Sequence, residues 1–565
     1  MTLQAPARSF LPADFDGADL ASLERLFQLL NEREINGVDD LERWLNDESE
    51  LLAHIDAEVA RRYIQMTLHT DSEDARESFL QLERDVSPRV KVLKDGLDQK
   101  FLSCPATEDL DPDRYSVLAR SRRSDKQIFR EENTSLQAEE SQLQTDQQTL
   151  MGGLTVEFRG ETYTLQQLAQ HLEDRDRATR EEAYRASLEV RRGTWPKLEE
   201  ILDDLVALRT KMAANAGLDS YIPYRFKQLH RFDYDADDCR RFHDAIEEVV
   251  VPAVGRLDAR RREALGVSAL RPWDLDVDIH GDEPLRPFST EEELVGMVTR
   301  TFAEVDPRFA DEFMVLRDEE MLDLMSRRGK APGGYQYTLE DVRLPFIFMN
   351  AVGTHGDVQT LLHEGGHAFH AILSRHDPLV DYRNSPIEFA ETASMSMELM
   401  GLEQIGEAYG EGDAARARRS HFEKVLRILP WIASIDAFQH WLYDNPGHDS
   451  DARKTAWLEI RARMAPGIDY SGIEDALAFQ WAAQSHLYGT PLYYVEYGIA
   501  QIAALQIWLN YRRDRAAAIE AYRAGLTLGG SVALPQLFEA AGARFDLSPE
   551  MLTGLVAEIE AVVAA

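Results

Sequence analysis

His363-Glu364-Gly365-Gly366-His367 decides how this chain is read. An α-helix turns about 3.6 residues per turn, so His363 and His367 fall on one face, one above the other. That is the spacing at which two imidazoles grip one zinc ion. Glu364 lies about a third of a turn away, where its carboxylate can reach a water as general base and is not needed as a ligand. In a chain of 565 residues with 15 histidines, such a pentapeptide arises by chance in about four chains per hundred, so its surroundings must decide.

The surroundings predict a helix. Gly353-Thr354-His355-Gly356-Asp357 is a turn-like run ending in a good N-cap residue, and Val358, Leu361, Leu362, Phe369, Ile372 and Leu373 then recur at helical spacing. Gly365 and Gly366 each cost such a helix about 1 kcal/mol relative to Ala. That loss makes sense if another backbone or a substrate comes close there. The alternative is a buried helix carrying two satisfied core histidines.

A catalytic zinc requires a third protein ligand and an open position for water. Ser385-Pro386 is an N-cap followed by Pro at the first helical position, and Ile387 to Met400 continues with strong helix formers. This second helix carries Glu388, Glu391 and Glu398 on roughly one face. Its neighbours Phe389, Ala390, Ala393, Met395, Met397, Leu399 and Met400 are too apolar for a solvated helix, which favours burial of the carboxylates beside a cation. On spacing alone, any of the three glutamates can be the ligand.

His363 to His370, followed by Phe389-Ala390-Glu391-Thr392-Ala393-Ser394 and Glu398, resembles the thimet oligopeptidase and oligoendopeptidase F family of zinc metallopeptidases. Lys211 to Tyr221, the hairpin-like Thr155 to Leu165, and His486 with Tyr493-Tyr494-Val495-Glu496-Tyr497 match as well, in the family's order, so the likeness spans most of residues 150–510. One departure is Gly365, where many relatives carry a larger residue. The resemblance implies a mainly α fold: a two-lobed helical clamp with a deep channel, and a small β-sheet beside the zinc helix. It implies one Zn2+ per chain on His363, His367 and Glu391, with Glu364 as general base and Glu388 and Glu398 behind the ligands. His486 and Tyr497 would stabilise the tetrahedral intermediate, while Tyr488, Tyr493 and Tyr494 hold substrate. The activity implied is internal cleavage of short unstructured peptides.

The segment His486 to Tyr497 also has a chemical reading of its own. Amide hydrolysis puts negative charge on the former carbonyl oxygen, and a preorganised donor aimed at it is worth about 3–4 kcal/mol. Tyr hydroxyls and a His suit that role, although a Tyr stripe at helical spacing also suits packing. Gly489-Thr490-Pro491 predicts a loop ending in a cap and a Pro at a helix start.

Length and composition fit this picture. A chain of 565 residues exceeds what one core supports, and the expected division is 1–195, a helical N-terminal lobe with the small hairpin near 155–165, and 196–565, the mostly helical catalytic lobe. Cys104 and Cys239 are too few for a disulfide framework, which points to a reducing, cytoplasmic setting. Met1 to Asp19 has no basic region followed by an apolar one, so no signal peptide is expected. No run of about 18 apolar residues offers a membrane span. A formal net charge of −38 argues against nucleic acid and anionic membranes as partners. Short peptides remain as partners, for a monomer or small homo-oligomer.

Helices are expected over Leu20–Leu30, Leu51–Leu68, Asp71–Arg84, Leu93–Phe101, the polar stretch Arg120–Leu150, Leu165–His171 and Arg177–Arg192. Ser103–Asp113 reads as a bend and Gly266–Thr290 as an extended surface excursion. From Gly333 to Asn350, apolar residues at Tyr335, Tyr337, Val342, Leu344, Phe346 and Phe348 alternate as in strands. An edge strand there can pair with an extended substrate backbone; a plain ribbon supporting the zinc helix has the same pattern. Two other functions share these residues: an inactive peptide-binding scaffold, which would be expected to lose Glu364 or a ligand, and a carboxydipeptidase with the same zinc site.

Overall fold

The structure is a computed structural model that describes residues 8–12, 15–280, 282–331 and 333–564; the first seven residues of the N-terminal stretch read above lie outside the described residues. Helices dominate, joined by two small sheets. The chain forms two compact units, one from 1–129, 285–418 and 499–545, the other from 130–284, 419–498 and 546–565. These units are drawn differently from the contiguous division 1–195 and 196–565, because each gathers three separated stretches of chain around its own core.

In the first unit, helices Leu20–Glu32, Val38–Leu68, Ser87–Ser103 and Pro112–Ile128 bury Leu23, Phe27, Trp44 and Phe101 in one core. Arg122 crosses it, ion-paired to Glu48 at 2.8 Å. The same unit holds a three-stranded sheet and the two helices on which the candidate site is built. The second unit holds the hairpin of β1 (Thr155–Phe158) and β2 (Glu161–Thr164). Its turn residues Arg159 and Gly160 both have positive φ, 54° and 89°, the backbone that a two-residue hairpin of matching twist demands.

Two expectations change. The polar stretch Arg120–Leu150 is not one helix but two, Pro112–Ile128 and Asn133–Gly152. At the break, Arg130 donates to the carbonyls of Asn215 and Ala216, and Asn133 donates to that of Met212. These bonds add partners to carbonyls at the C-terminal end of helix Trp195–Asn215, where intrahelical partners run out. The bend and the excursion each contain a short 3₁₀ turn, Pro105–Asp109 and Pro272–Asp274.

The strand pattern resolves into β4 (Tyr335–Leu339) and β5 (Leu344–Ala351), an antiparallel pair whose turn places Arg343 at φ 55°. β3 (Leu322–Met325) pairs with β5 in parallel, giving the order β3-β5-β4. β5 is buried along both faces, as a central strand must be. β4 is left at an edge, beside the helix that follows.

Candidate metal centre and tyrosine cluster

The motif helix runs from His355 to Ser374. Its N-cap is Thr354, not Asp357: the Thr354 side chain accepts from the Asp357 N–H, and the Asp357 carboxylate accepts from the N–H groups of Thr354 and Val352. Asp357 thus closes a capping box from the third helical position. The glutamate helix runs from Ile387 to Gln404 and starts without a side-chain cap, with Pro386 and not Ser385 at the N-cap position.

The two helices meet where the motif has no side chains. A Cβ on Gly366 would lie 2.5 Å from Ser394 Cα and 2.8 Å from Ala393 O, and a Cβ on Gly365 would lie 2.5 Å from the Phe302 ring. The glycines are therefore required, the first by a neighbouring backbone and the second by an aromatic ring. Phe302 belongs to a buried aromatic cluster with Phe313, Phe369 and Phe309. Tyr522 adds a fixed point by donating its hydroxyl to Ala393 O at 2.7 Å.

This crossing brings His363, His367 and Glu391 together, with one ligand atom from each all within 4.8 Å of one another. Glu391 Oε2 lies 3.4 Å from His363 Nε2 and 3.8 Å from His367 Nε2. Glu398 Oε1 lies 2.7 Å from His363 Nδ1; with a carboxylate there, Nδ1 carries the proton and Nε2 keeps its lone pair toward Glu391. Glu388 is buried one turn before Glu391 and does not join the cluster. Asn350, at the end of the strand before the motif helix, donates to the carbonyls of Ala331 and Gly333.

The electrostatics call for a cation. Burial opposes a charge on His363, yet its hydrogen bonds with Glu391 and Glu398 hold its imidazole well above the ordinary value. Burial would also raise Glu391, but the same bond to His363 and the charge near His367 keep it below the usual carboxylate range. In a chain without metal, the glutamates thus draw a proton onto the ring that faces them. Two nitrogen donors and one carboxylate suit zinc, and a divalent ion at that point would take over the proton's role. Burial pushes His367 down to about 4 and His370 down to about 3, so both stay neutral.

Glu364 is 6% exposed. Burial pushes its carboxyl up to about 7, against a lowering by His363 and by the backbone N–H of Gln336 on β4. A carboxylate poised near neutrality can take and return a proton. The sequence pattern did not indicate the roles of Phe302, Tyr522 and Gln336, since each acts through a contact distant in the chain.

In the second unit, His486 opens the short helix His486–Gly489, and its ring centroid lies 5.9, 4.9 and 5.8 Å from those of Tyr493, Tyr494 and Tyr497. His486 Nδ1 pairs with the Gln484 amide at 2.6 Å. The helix after it begins at Val495, not at Pro491. Between them Leu492 has φ 59°, and Arg231 holds that turn by donating to Leu492 O at 2.5 Å while pairing with buried Glu496 at 2.6 Å. Tyr488 is fully buried and Tyr494 is 8% exposed; among the described residues the Tyr488 hydroxyl has no hydrogen-bond partner.

The sequence model of the family described as Peptidase family M3 matches residues 170–556. An oligoendopeptidase F homolog of Mycoplasma pneumoniae is 26% identical over 260 residues, which is 43% of this chain and 40% of that protein. The chain therefore matches less than half the length of that curated relative. Among solved structures, a putative oligoendopeptidase F superposes with a TM-score of 0.91 at 28% identity, covering 99% of each chain. PZ peptidase A, solved with an inhibitor, superposes at 0.91 and 27% identity, covering 98% of this chain and 99% of the other.

Proposed function

The chain belongs to peptidase family M3, and we propose that it is a zinc-dependent endopeptidase that cuts internal bonds of short, unstructured peptides. The observation that carries the reading is the meeting of His363, His367 and Glu391, with ligand atoms within 4.8 Å, beside a Glu364 poised near neutrality. The names of the similar proteins, oligoendopeptidase F and a PZ peptidase, support the substrate class.

His363, His367 and Glu391 would hold one zinc ion between them. When bound, zinc supplies Lewis acidity to the attacking water and to the scissile carbonyl. Glu364 takes a proton from the attacking water and gives one to the leaving amine. Glu398 fixes the tautomer and angle of His363. The free edge of β4 pairs with the extended substrate backbone, which gives affinity without demanding particular side chains. His486 and Tyr497 donate to the carbonyl oxygen as it gains charge, and Tyr493 and Tyr494 hold the chain of the substrate. Two unpaired cysteines support a reducing, cytoplasmic setting. Among the described residues, no helix is long and apolar enough to cross a membrane.

The test is a mixed peptide library from a few to about 30 residues, about 45 Å at the longest when helical, with mass-spectrometric mapping of each cut. Internal cleavage of the short members, abolished by a chelator, is expected, while casein stays intact. Digestion of casein to small fragments refutes the size limit. Release of C-terminal dipeptides alone makes the protein a carboxydipeptidase instead.

A further inference from the structure

The second unit carries another set of metal-ligand side chains that the reaction above does not use. Cys239 and His243 stand four residues apart on helix Ala236–Ala245, and Asp436 and His440 four apart on helix Glu411–Asp444. Each pair shares a helix face, the same spacing that joins His363 to His367. The Cys239 sulfur, an Asp436 oxygen and a His440 nitrogen all lie within 4.8 Å of one another. The three residues are 1%, 0% and 4% exposed.

Their hydrogen bonding is incomplete. His243 Nε2 lies 2.7 Å from Asp436 Oδ2 and fixes the carboxylate. Among the described residues, the other oxygen, Asp436 Oδ1, has no hydrogen-bond partner, and neither has either ring nitrogen of His440, whose Nε2 stops 3.5 Å from Asp436 Oδ2. A buried polar atom without a partner costs about 1–3 kcal/mol, and folded proteins contain few. A cation would engage the Asp436 carboxylate and one of the two His440 nitrogens, and the thiol beside them completes a sulfur, nitrogen and oxygen donor set.

We propose that Cys239, Asp436 and His440 bind a second zinc ion, with His243 holding the Asp436 carboxylate from behind. The donor set suits zinc and not magnesium or calcium, which take oxygen ligands. The ion would join helix Ala236–Ala245 to helix Glu411–Asp444. Zinc binding replaces the proton of the Cys239 thiol, which leaves to solvent as the sulfur–zinc bond forms.

Cobalt separates this site from the one in the motif helix, because thiolate ligation to Co2+ produces an intense near-ultraviolet charge-transfer band and His363, His367 and Glu391 include no sulfur. The full chain is produced in zinc-depleted, cobalt-supplemented medium. The expected result is two cobalt ions per chain with the thiolate band. Cys239→Ser should lose the band and one ion, while Cys104→Ser keeps both. His440→Gln, which leaves the thiol in place, should also lose the band and supplies the test where Cys239→Ser does not fold. A wild-type chain without the band, or a band that survives Cys239→Ser, overturns the proposal. A chain that keeps the band but holds only that one ion overturns the catalytic site and not this one.

Discussion

Replacing Gly366 with Ala sets two effects of opposite sign against each other. In a helix interior the change should stabilise by about 1 kcal/mol. At Gly366, however, the new methyl lies 2.5 Å from Ser394 Cα and 2.8 Å from Ala393 O. Both are backbone atoms of the glutamate helix, so no side chain can swing aside. Restoring an ordinary contact of about 3.5 Å moves one helix by about 1 Å. Overpacking of this kind costs about 1–3 kcal/mol, and the shift also strains the Tyr522 bond to Ala393 O. A metal site tolerates about 0.2 Å in its ligand distances, so the same shift takes Glu391 out of range. Gly366→Ala should therefore lower the unfolding midpoint and lose bound zinc, read by denaturant unfolding and elemental analysis. Gly554→Ala is the control: on helix Pro549–Ala564 its methyl would meet nothing within 4 Å, so stability should rise by about 0.4–1 kcal/mol. A Gly366→Ala protein with the wild-type midpoint and a full complement of zinc refutes the close-contact argument.

Glu364→Gln leaves the three ligands in place, so it should keep one zinc in the motif site while turnover falls by at least about 100- to 10,000-fold; retained activity removes Glu364 as the base. Glu391→Gln should instead lose that zinc, and Glu388→Gln should keep it; the reverse pattern in elemental analysis moves the third ligand one turn along the helix. Glu398→Gln replaces the charged acceptor on Nδ1 of His363 with a neutral amide and should weaken zinc affinity by about 10- to 100-fold, measured by competition with a chromophoric chelator. For pH, the carboxyl of Glu364 stands at about 7 without metal and a bound cation lowers it, so kcat/KM should rise through an acid limb below pH 7 and level off near neutrality. Only the deprotonated form accepts a proton, so activity falls as pH falls. Full activity at pH 4 is incompatible with the assignment.

Local signals in the sequence were enough for most helices, because capping residues and 3.6-residue periodicity act within one or two turns. Arg177–Arg192 falls on its expected bounds, and the Arg159-Gly160 turn forms the expected hairpin. Failures occur where a distant group takes over. The break before Asn133 exists because Arg130 and Asn133 cap a helix that ends about 80 residues later. The helix that carries Tyr497 starts late because Arg231 and Gln439 hold the backbone of Leu492 in a turn. No periodicity in the local sequence encodes either event.

The candidate site shows the same division at finer scale. Helical geometry puts Glu388, Glu391 and Glu398 on roughly one face, so spacing alone cannot choose among them. The choice is made by where the two helices touch, and Gly366 fixes that point against Ala393 and Ser394. One turn back from the contact lies Glu391, which faces the Nε2 atoms of His363 and His367. About one turn forward lies Glu398, which reaches the opposite side of the His363 ring at Nδ1. The two glycines cost helix stability in isolation, yet they set the register that turns a stripe of three acids into one facing carboxylate and one carboxylate behind the imidazole.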